Sequence, residues 1–196
     1  VNDPATDITL TPASVAENEP ANTVVGALGS NDPDGPGAAF TLVAGVGDAD
    51  NGSFNIAAGN LRTSGSFDFE TKSSYTVRVQ VDDGAGGIFA EPVIITITDV
   101  NDVAPTVTAS QTFSVTAGTA VGATFGTVIA TDPDSAVTGF TISSDPSGFF
   151  QIDNSGNLSL TVAGNLAAVQ SGLVVDLTAT DGVNTSPIES VTIDIT

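Results

Sequence analysis

Apolar and polar side chains alternate along several short segments of the chain. In one segment the apolar positions are Tyr75, Val77, Val79 and Val81, and in another they are Leu173, Val175, Leu177 and Ala179. A period of two places such a set on one face, as expected of a strand with one buried side. Gly, Pro, Asn and Asp interrupt these segments frequently, as in the loops predicted at 33–37 and 84–87. The pattern therefore predicts an all-β protein with short strands.

The chain contains an internal repeat with a period of about 98 residues. Landmarks of the first half are Val1-Asn2-Asp3, Asp32-Pro33-Asp34, Phe54-Asn55-Ile56 and Asp83-Gly84. They recur in the same order as Val100-Asn101-Asp102, Asp132-Pro133-Asp134, Phe150-Gln151-Ile152 and Asp181-Gly182. We therefore predict two homologous domains, residues 1–102 and 103–196, each a seven-stranded β-sandwich with Greek-key connections.

The composition excludes several classes of function. The 196 residues include 23 acids, 3 bases, no His and no Cys, for a net charge of −20. A Ser-His-Asp triad, a cysteine nucleophile, an imidazole or thiolate zinc site and a disulfide are excluded, and we predict that the chain is not an enzyme. With only Arg62, Lys72 and Arg78 as cations, nucleic acid and anionic membrane are unfavourable partners. No apolar segment is long enough for membrane insertion. Oxygen-rich chains of this kind suit hard cations such as calcium.

Many of the acids are clustered rather than scattered over the strands. The clusters are Glu17-Asn18-Glu19, Asp32-Pro33-Asp34, Asp68-Phe69-Glu70, Asp82-Asp83 and Asp99-Val100-Asn101-Asp102. Two carboxylates about 4 Å apart repel by about 1 kcal/mol in water and by more where they are buried. A bound cation removes that repulsion, whereas a solvated acidic surface is the alternative interpretation.

The order of these clusters resembles that of the cadherin repeat, whose motifs are commonly written xEx, DxD, DRE or DYE, and DxNDN. The match covers nearly the whole chain. It implies an elongated pair of cadherin-like (Ig-like) sandwiches that bind about three Ca²⁺ ions at their junction, with a linker at about 99–103. The ligands implied by the resemblance are Glu17, Asp68, Glu70, Asp99, Val100, Asn101, Asp102, Val103, Asp132, Asp134 and Asp181.

Departures from the family motifs refine this expectation. Val103 replaces an Asn that contributes a backbone carbonyl, so ligation is preserved. The second domain has Thr116-Ala117-Gly118 and Asn165-Leu166-Ala167 where the first has acidic motifs, so it is expected to complete a site above it and to build none below. A second half-site, facing a preceding repeat, is expected from Asn2, Asp3, Asp32, Asp34 and Asp83.

The resemblance implies an extracellular, cell-surface role. We expect an adhesion or stalk module whose tandem repeats are rigidified by calcium, with neighbouring repeats of the same chain as partners. A second copy of the chain and a polysaccharide are further candidate partners. The alternative is a carbohydrate- or matrix-binding module on the same scaffold. Low Lys, high Asp, Gly and Thr, and absent Cys are typical of large bacterial surface proteins.

Three local motifs have simpler interpretations. The segment 48–52 resembles the start of an EF-hand loop, but the twelfth position is Gly59, so a hairpin turn is predicted. Lys72 is expected to be a solvated surface lysine. Asn184-Thr185-Ser186 fits the glycosylation pattern, which occurs often by chance.

Overall fold

The computed structural model describes residues 2–35, 39–161 and 169–196. The chain divides into unit 1, Val1–Val100, and unit 2, Asn101–Thr196, and the division falls inside the segment predicted as a linker. The predicted all-β class is confirmed, because the described residues form strands and one 3₁₀ turn at Asn51–Ser53. Within these ranges there is no helix long and apolar enough to cross a membrane.

Unit 1 is a sandwich of two four-stranded sheets. Its strands are β1 (Asp7–Thr11), β2 (Ser14–Ala16), β3 (Val24–Asn31), β4 (Ala39–Leu42), β5 (Phe54–Ala57), β6 (Asn60–Thr63), β7 (Ser74–Asp82) and β8 (Ile88–Thr98). One sheet has the order β1-β3-β6-β5 and the other β2-β8-β7-β4. The first strand is broken into β1 and β2, which join different sheets, so the eight segments correspond to the seven predicted strands.

Unit 2 repeats this arrangement with more interruptions. Its strands are β9 (Thr106–Val107), β10 (Thr112–Val115), β11 (Thr124–Thr127), β12 (Ala130–Thr131), β13 (Gly139–Ser144), β14 (Phe150–Ile152), β15 (Asn157–Leu160), β16 (Gln170–Thr180) and β17 (Glu189–Ile195). The long sheet has the order β10-β17-β16-β13 and faces β11-β15-β14. Here both the first and the second predicted strands are broken, and β9 pairs with β12.

The alternating apolar residues face inward in both units. In unit 1 the side chains of Val77, Val79, Ile95 and Ile97 are fully buried. The fully buried residues at the matching strands of unit 2 are Val175, Leu177, Val191, Ile193 and Ile195. Each such side chain stabilises the fold by roughly 1.5–3 kcal/mol relative to an exposed one. The two cores therefore account for the period-two pattern.

The repeated landmark around Phe54 forms a tight hairpin. Strands β5 and β6 pair with Ala57 opposite Asn60, and the two connecting residues, Ala58 and Gly59, both have positive φ. Such a two-residue turn matches the twist of the flanking strands. The corresponding strands β14 and β15 also pair as a hairpin, joined by a turn at 153–156.

The segment 48–52 is not a hairpin turn, and that prediction is wrong. Strand β4 pairs with β7 whereas β5 pairs with β6, so the segment crosses between the sheets. It is held by side chains: Asp50 accepts a hydrogen bond from Thr76 N–H, and Asn51 accepts one from Arg78 N–H. Sequence alone does not distinguish this crossover from a hairpin, because both are rich in Asp, Asn and Gly.

Candidate metal centres

Three carboxylates gather at one end of unit 1. Strands β2 and β8 run parallel, with Ala16 opposite Thr98. Glu17 and Asp99 directly follow these residues and so emerge at the same end. Their carboxylate oxygens and those of Glu70 lie within 4.8 Å of one another. The structure therefore brings together three of the predicted ligands of this unit.

Glu17 is the buried member of this group and accepts hydrogen bonds from two neighbouring segments. Its side chain is only 3% exposed. Oε2 accepts a hydrogen bond from Phe69 N–H at 2.7 Å, and Oε1 accepts one from Val100 N–H at 2.9 Å. Glu17 therefore anchors both the segment that carries Glu70 and the start of the linker.

Asp68 occupies a different position from the other predicted ligands. Oδ1 accepts a hydrogen bond from Thr71 N–H at 2.8 Å and Oδ2 accepts one from Thr71 Oγ1 at 3.0 Å. The three-acid group of unit 1 does not include it. Its visible contacts are those of a residue that stabilises a turn.

A second group of three acids lies at one end of unit 2. Asp132 and Asp134 follow β12, and Asp181 follows β16. Their carboxylate oxygens lie within 4.8 Å of one another, and Asp181 is buried. Asp134 Oδ2 also accepts hydrogen bonds from the N–H groups of Asp102 and Val103, at 2.9 and 2.8 Å. The end of the linker is therefore tied to the acids of unit 2.

Two oxygens of this group are buried without a hydrogen bond. Asp132 Oδ2 and Asp134 Oδ1 accept none from the residues that the structure describes. Buried polar atoms almost always have a partner, because leaving one unsatisfied is costly. Calcium–oxygen distances are about 2.3–2.6 Å, so two ligands on opposite sides of one ion lie about 5 Å apart. The donor set and its spacing fit a calcium ion.

The electrostatic environment keeps part of this group ionised. The side chain of Asp134 and burial raise the pKa of Asp132, and the interaction with Asp132 and the N–H of Val103 lower the pKa of Asp134. Burial opposes ionisation of Asp181, but the N–H groups of Asn184 and Val183 outweigh it and lower its pKa. Ionisation of Asp134 and Asp181 is thus favoured, whereas ionisation of Asp132 is opposed by its neighbour.

Asn184 belongs to this site, although its sequence context indicated only a glycosylation pattern. Its Nδ2 donates to Asp181 Oδ2 at 3.2 Å and to Asn101 Oδ1 at 2.8 Å. The amide thus connects a predicted ligand in the linker with one at the end of β16. The only available signal was its position three residues after Asp181 in a tight turn.

The acids at the other end of unit 1 are arranged in a related way. Asn2 Nδ2 donates to Asp83 Oδ2 at 2.8 Å, which lowers the pKa of Asp83. Asp3 N–H donates to Asp34 Oδ2 at 2.6 Å, the equivalent of the bond between Asp102 and Asp134. A cavity of about 150 Å³ is lined by Asn2, Asp32, Asp34, Gly35, Asp83 and Ala85. In the described part of unit 1, the three aspartates of this cavity are not close enough to form a three-acid group.

The end of unit 2 at which β10 ends lacks one of the acidic motifs of unit 1. The segment 116–118, which follows β10, contains no carboxylate. The second predicted counterpart, 165–167, lies outside the described residues. The expectation that unit 2 builds no site at this end stays a prediction.

Two surface cavities bear on the carbohydrate alternative. One of about 290 Å³ in unit 1 is lined partly by Phe67 and Tyr75, whose rings pack together with centroids 4.5 Å apart. Lys72 Nζ lies 4.4 Å from the centroid of the Tyr75 ring. The other cavity, of about 390 Å³ in unit 2, is lined by Gly122, Thr124, Gln151, Ile152, Asp153, Asn157 and Ser159. Neither presents a wide aromatic platform, and the alternative stays a prediction.

The sequence of the chain was compared with those of known protein families and proteins. Residues 11–98 match the model of the Cadherin domain family. Protein dachsous of Drosophila melanogaster is 30% identical over 198 residues, which is 93% of this chain and 6% of the relative. Protocadherin-1 of Homo sapiens is 37% identical over 172 residues, 81% of this chain and 16% of the relative. The chain therefore spans a small part of these proteins.

Solved structures share the fold of the whole chain. The human Desmocollin-1 ectodomain matches with a TM-score of 0.74 and 19% identity, over 96% of this chain and 42% of that one. Human Protocadherin-24 EC1-2 matches with a TM-score of 0.69 and 18% identity, over 98% of both chains. Together with the family match and the related sequences, this establishes that the chain belongs to the cadherin family and consists of tandem cadherin repeats.

Proposed function

We propose that the chain is a calcium-dependent extracellular adhesion or stalk module whose repeats are fixed relative to each other by ions at their junction. The acids of unit 1 would supply ligands from one side and those of unit 2 from the other. The proposed ligands are Glu17, Asp68, Glu70, Asp99, Val100, Asn101, Asp102, Val103, Asp132, Asp134 and Asp181. About three ions would be bound.

The observation that carries this proposal is the pair of unsatisfied oxygens in unit 2. Asp132 Oδ2 and Asp134 Oδ1 are buried beside the carboxylate of Asp181. Three carboxylates so close repel one another unless a cation or protons compensate them. Calcium supplies the missing positive charge and takes six to eight oxygen ligands, more than unit 2 offers from these three side chains. Further ligands would come from water and from other oxygens of the chain, the linker among them.

The linker is held at both of its ends by acids of the proposed site. Val100 N–H donates to Glu17 of unit 1, and the N–H groups of Asp102 and Val103 donate to Asp134 of unit 2. These contacts orient the short linker, whose Val100 and Val103 carbonyl groups would act as ligands. Without a cation, the acids on either side of the linker repel one another. Calcium binding would remove this repulsion, and its binding energy would fix the angle between repeats.

Adhesion itself is inferred from the relatives. The chain covers only a small fraction of their length. The cell-surface location and the binding partner are therefore part of the proposal. The N-terminal group of Asn2, Asp3, Asp32, Asp34 and Asp83 would complete an equivalent junction with a preceding repeat.

The proposal is tested by calorimetric titration of the chain with calcium. We expect saturable binding of about three ions, and a loss of affinity of at least tenfold on Asp134→Asn, because one charged ligand is removed. Asp153→Asn is the matched control. It also removes an aspartate from a tight turn of unit 2, where Asp153 accepts hydrogen bonds from the N–H groups of Ser155 and Asn157.

Small-angle scattering with calcium and with chelator tests whether the ions fix the two repeats relative to each other. Calcium should narrow the distribution of dimensions of the wild-type chain, and Asp134→Asn should require more calcium for the same change. Equal affinities in the two variants, or binding without any change in scattering, would contradict the proposal.

A further inference from the structure

Homologous groups of three aspartates lie at one end of each unit. Triad 1 consists of Asp32, Asp34 and Asp83, and triad 2 consists of Asp132, Asp134 and Asp181. The carboxylate oxygens of triad 2 lie within 4.8 Å of one another, whereas triad 1, all of which is in the described ranges, forms no such group. Because the two triads occupy the same motif positions, we compare the residues that surround them.

The loop after the third aspartate differs between the repeats. In unit 1 it is Gly84-Ala85-Gly86-Gly87, whose side chains offer no hydrogen-bond donor. The repeat offset of about 98 residues aligns Gly86 with Asn184 of unit 2, which is half-buried. The unit with the compact triad is therefore also the unit whose loop carries a side-chain amide.

Asn184 binds both oxygens of the Asp181 carboxylate. Its backbone N–H donates to Oδ1 at 2.6 Å, and its Nδ2 donates to Oδ2 at 3.2 Å. Asp181 is only 7% exposed, so little water can replace these donors. A buried carboxylate held at both oxygens keeps one orientation.

The same amide also binds the linker residue that begins unit 2. Asn184 Nδ2 donates to Asn101 Oδ1 at 2.8 Å and lies 3.4 Å from the Asn101 carbonyl oxygen. In unit 1 the corresponding contact is direct, from Asn2 Nδ2 to Asp83 Oδ2. No other side chain in the described part of unit 1 donates to that pair. Asn184 is thus an additional connection, present in unit 2, between two proposed calcium ligands.

We propose that Asn184 is a positioning residue that holds Asp181 and Asn101 together before calcium binds. The inference rests on the calcium function proposed above. Asn184 is neutral, so it links the two proposed ligands without adding to the repulsion among the aspartates. Ordering ligands in advance removes that cost from binding. Residues that orient metal ligands commonly change metal affinity by about 10- to 100-fold.

Calorimetric titration of the full chain with calcium tests this proposal. Asn184→Ala should raise the dissociation constant by about tenfold without changing the number of bound ions, because no ligand is removed. Asn157→Ala is the matched control. Asn157 also donates to both oxygens of an aspartate, from Nδ2 to Asp153 Oδ2 at 3.0 Å and from N–H to Oδ1 at 2.9 Å. Asp153 is not a proposed ligand, so Asn157→Ala should leave the calcium affinity unchanged.

A double-mutant cycle with Asn101→Ala separates positioning from a general effect on the turn. If Asn184 acts through Asn101, the loss of Asn184 matters less once the Asn101 side chain is absent. In the Asn101→Ala background we expect Asn184→Ala to raise the dissociation constant by about threefold or less, against about tenfold in the wild-type background. A residue that only stabilised the turn would have the same effect in both backgrounds.

Urea unfolding of the same variants in chelator measures their stability without calcium. The backbone N–H of residue 184 survives the substitution, so its contact with Asp181 Oδ1 remains. We therefore expect Asn184→Ala and Asn157→Ala to lose similar amounts of stability, although only Asn184→Ala loses calcium affinity. If the Asn184→Ala chain does not fold, Asn184→Ser takes its place with the same expectations.

Equal dissociation constants for Asn184→Ala and Asn157→Ala would overturn the proposal, as would an equal effect of Asn184→Ala in the two backgrounds. In either case the wild-type chain still binds calcium, and only the role of Asn184 is lost. A wild-type chain that binds no calcium would overturn the calcium function itself and this inference with it. The two failures are therefore distinguishable.

Discussion

At the scale of single residues, the ion pair between Asp50 and Lys72 makes a prediction about pH. Lys72 Nζ donates to Asp50 Oδ1, and Thr76 N–H donates to Oδ2. Lys72, expected to be simply solvated, is 43% exposed and paired, whereas Asp50 is only 14% exposed. Burial opposes ionisation of Asp50, but these hydrogen bonds outweigh it and lower its pKa below the ordinary value.

We expect Asp50→Asn to destabilise the chain by about 1 kcal/mol at neutral pH, a value limited by solvent screening of the exposed lysine. Since the folded-state pKa is the lower one, the stabilisation by Asp50 is complete above the unfolded-state pKa. It is lost as the pH falls through the folded-state pKa. The difference between the two chains should therefore shrink below about pH 4. Urea unfolding at several pH values, in chelator, measures this difference.

Asp7→Asn is the control, because Asp7 is an exposed aspartate at the start of β1. It reports how much of the pH effect comes from the general reduction of negative charge. A difference for Asp50→Asn that stays constant down to pH 3, or that matches Asp7→Asn, would show that the ion pair contributes nothing.

The candidate site shows what single residues reveal in sequence. Acids such as Glu17 and Asp134 were predicted as ligands because the order of the acidic clusters resembles that of the cadherin motifs. Asn184 was missed because its role depends on a hydrogen bond to Asn101, 83 residues away. Motif order points to candidate ligands, but it does not identify the neutral side chains that orient them.

At the scale of the strands, Gly26 sets how closely β3 approaches the preceding segment. A Cβ at Gly26 would lie 1.9 Å from the carbonyl oxygen of Pro12. The register between β3 and β6 shifts between Val24 and Gly26. The counterpart of Gly26 in unit 2 is Gly126, which lies at a similar register shift. A Cβ at Gly126 would lie 2.4 Å from the Phe113 ring.

We expect Gly26→Ala to destabilise unit 1 by about 2–3 kcal/mol, since backbone must move to admit the methyl group. Gly126→Ala should cost less, because an aromatic side chain can rotate away. Gly65→Ala is the control, as nothing lies within 4 Å of its Cβ position. Chemical unfolding measures all three, and an effect of Gly26→Ala no larger than that of Gly65→Ala would contradict the packing.

The strands also show how far sequence periodicity reaches. Alternation of apolar and polar residues predicted the buried residues of β7 and β16, because successive side chains of a strand with one buried side point alternately to the core and to solvent. The crossover at 48–52 was misassigned because partner choice depends on contacts made far along the chain, here to Thr76 and Arg78. The breaks in the first strand of each unit were likewise not visible in residue type.

At the scale of the whole molecule, charge dominates. Cadherin repeats and their acids were recognisable because several motifs occur in fixed order, whereas the bacterial source inferred from composition stays a prediction. With 23 acids and 3 bases, the folded chain brings like charges closer together than the unfolded chain does. One ion pair between side chains, Lys72 with Asp50, is found in the described residues. Screening by salt should therefore reduce the repulsion among the acids more than it weakens the attraction between acids and bases.

In chelator, we expect the thermal midpoint to rise by several degrees between about 10 and 100 mM NaCl, as the Debye length falls from about 30 to 10 Å. Without chelator, calcium at about 1 mM should give at least as large a rise, although it adds only about 3 mM of ionic strength, because ions that bind only the folded state stabilise it by mass action. Magnesium at the same concentration should give less, since it keeps its hydration shell and requires octahedral geometry. Scanning calorimetry under the three conditions separates screening from binding. Equal effects of the two divalent ions would mean that the acids attract counterions without forming a built site.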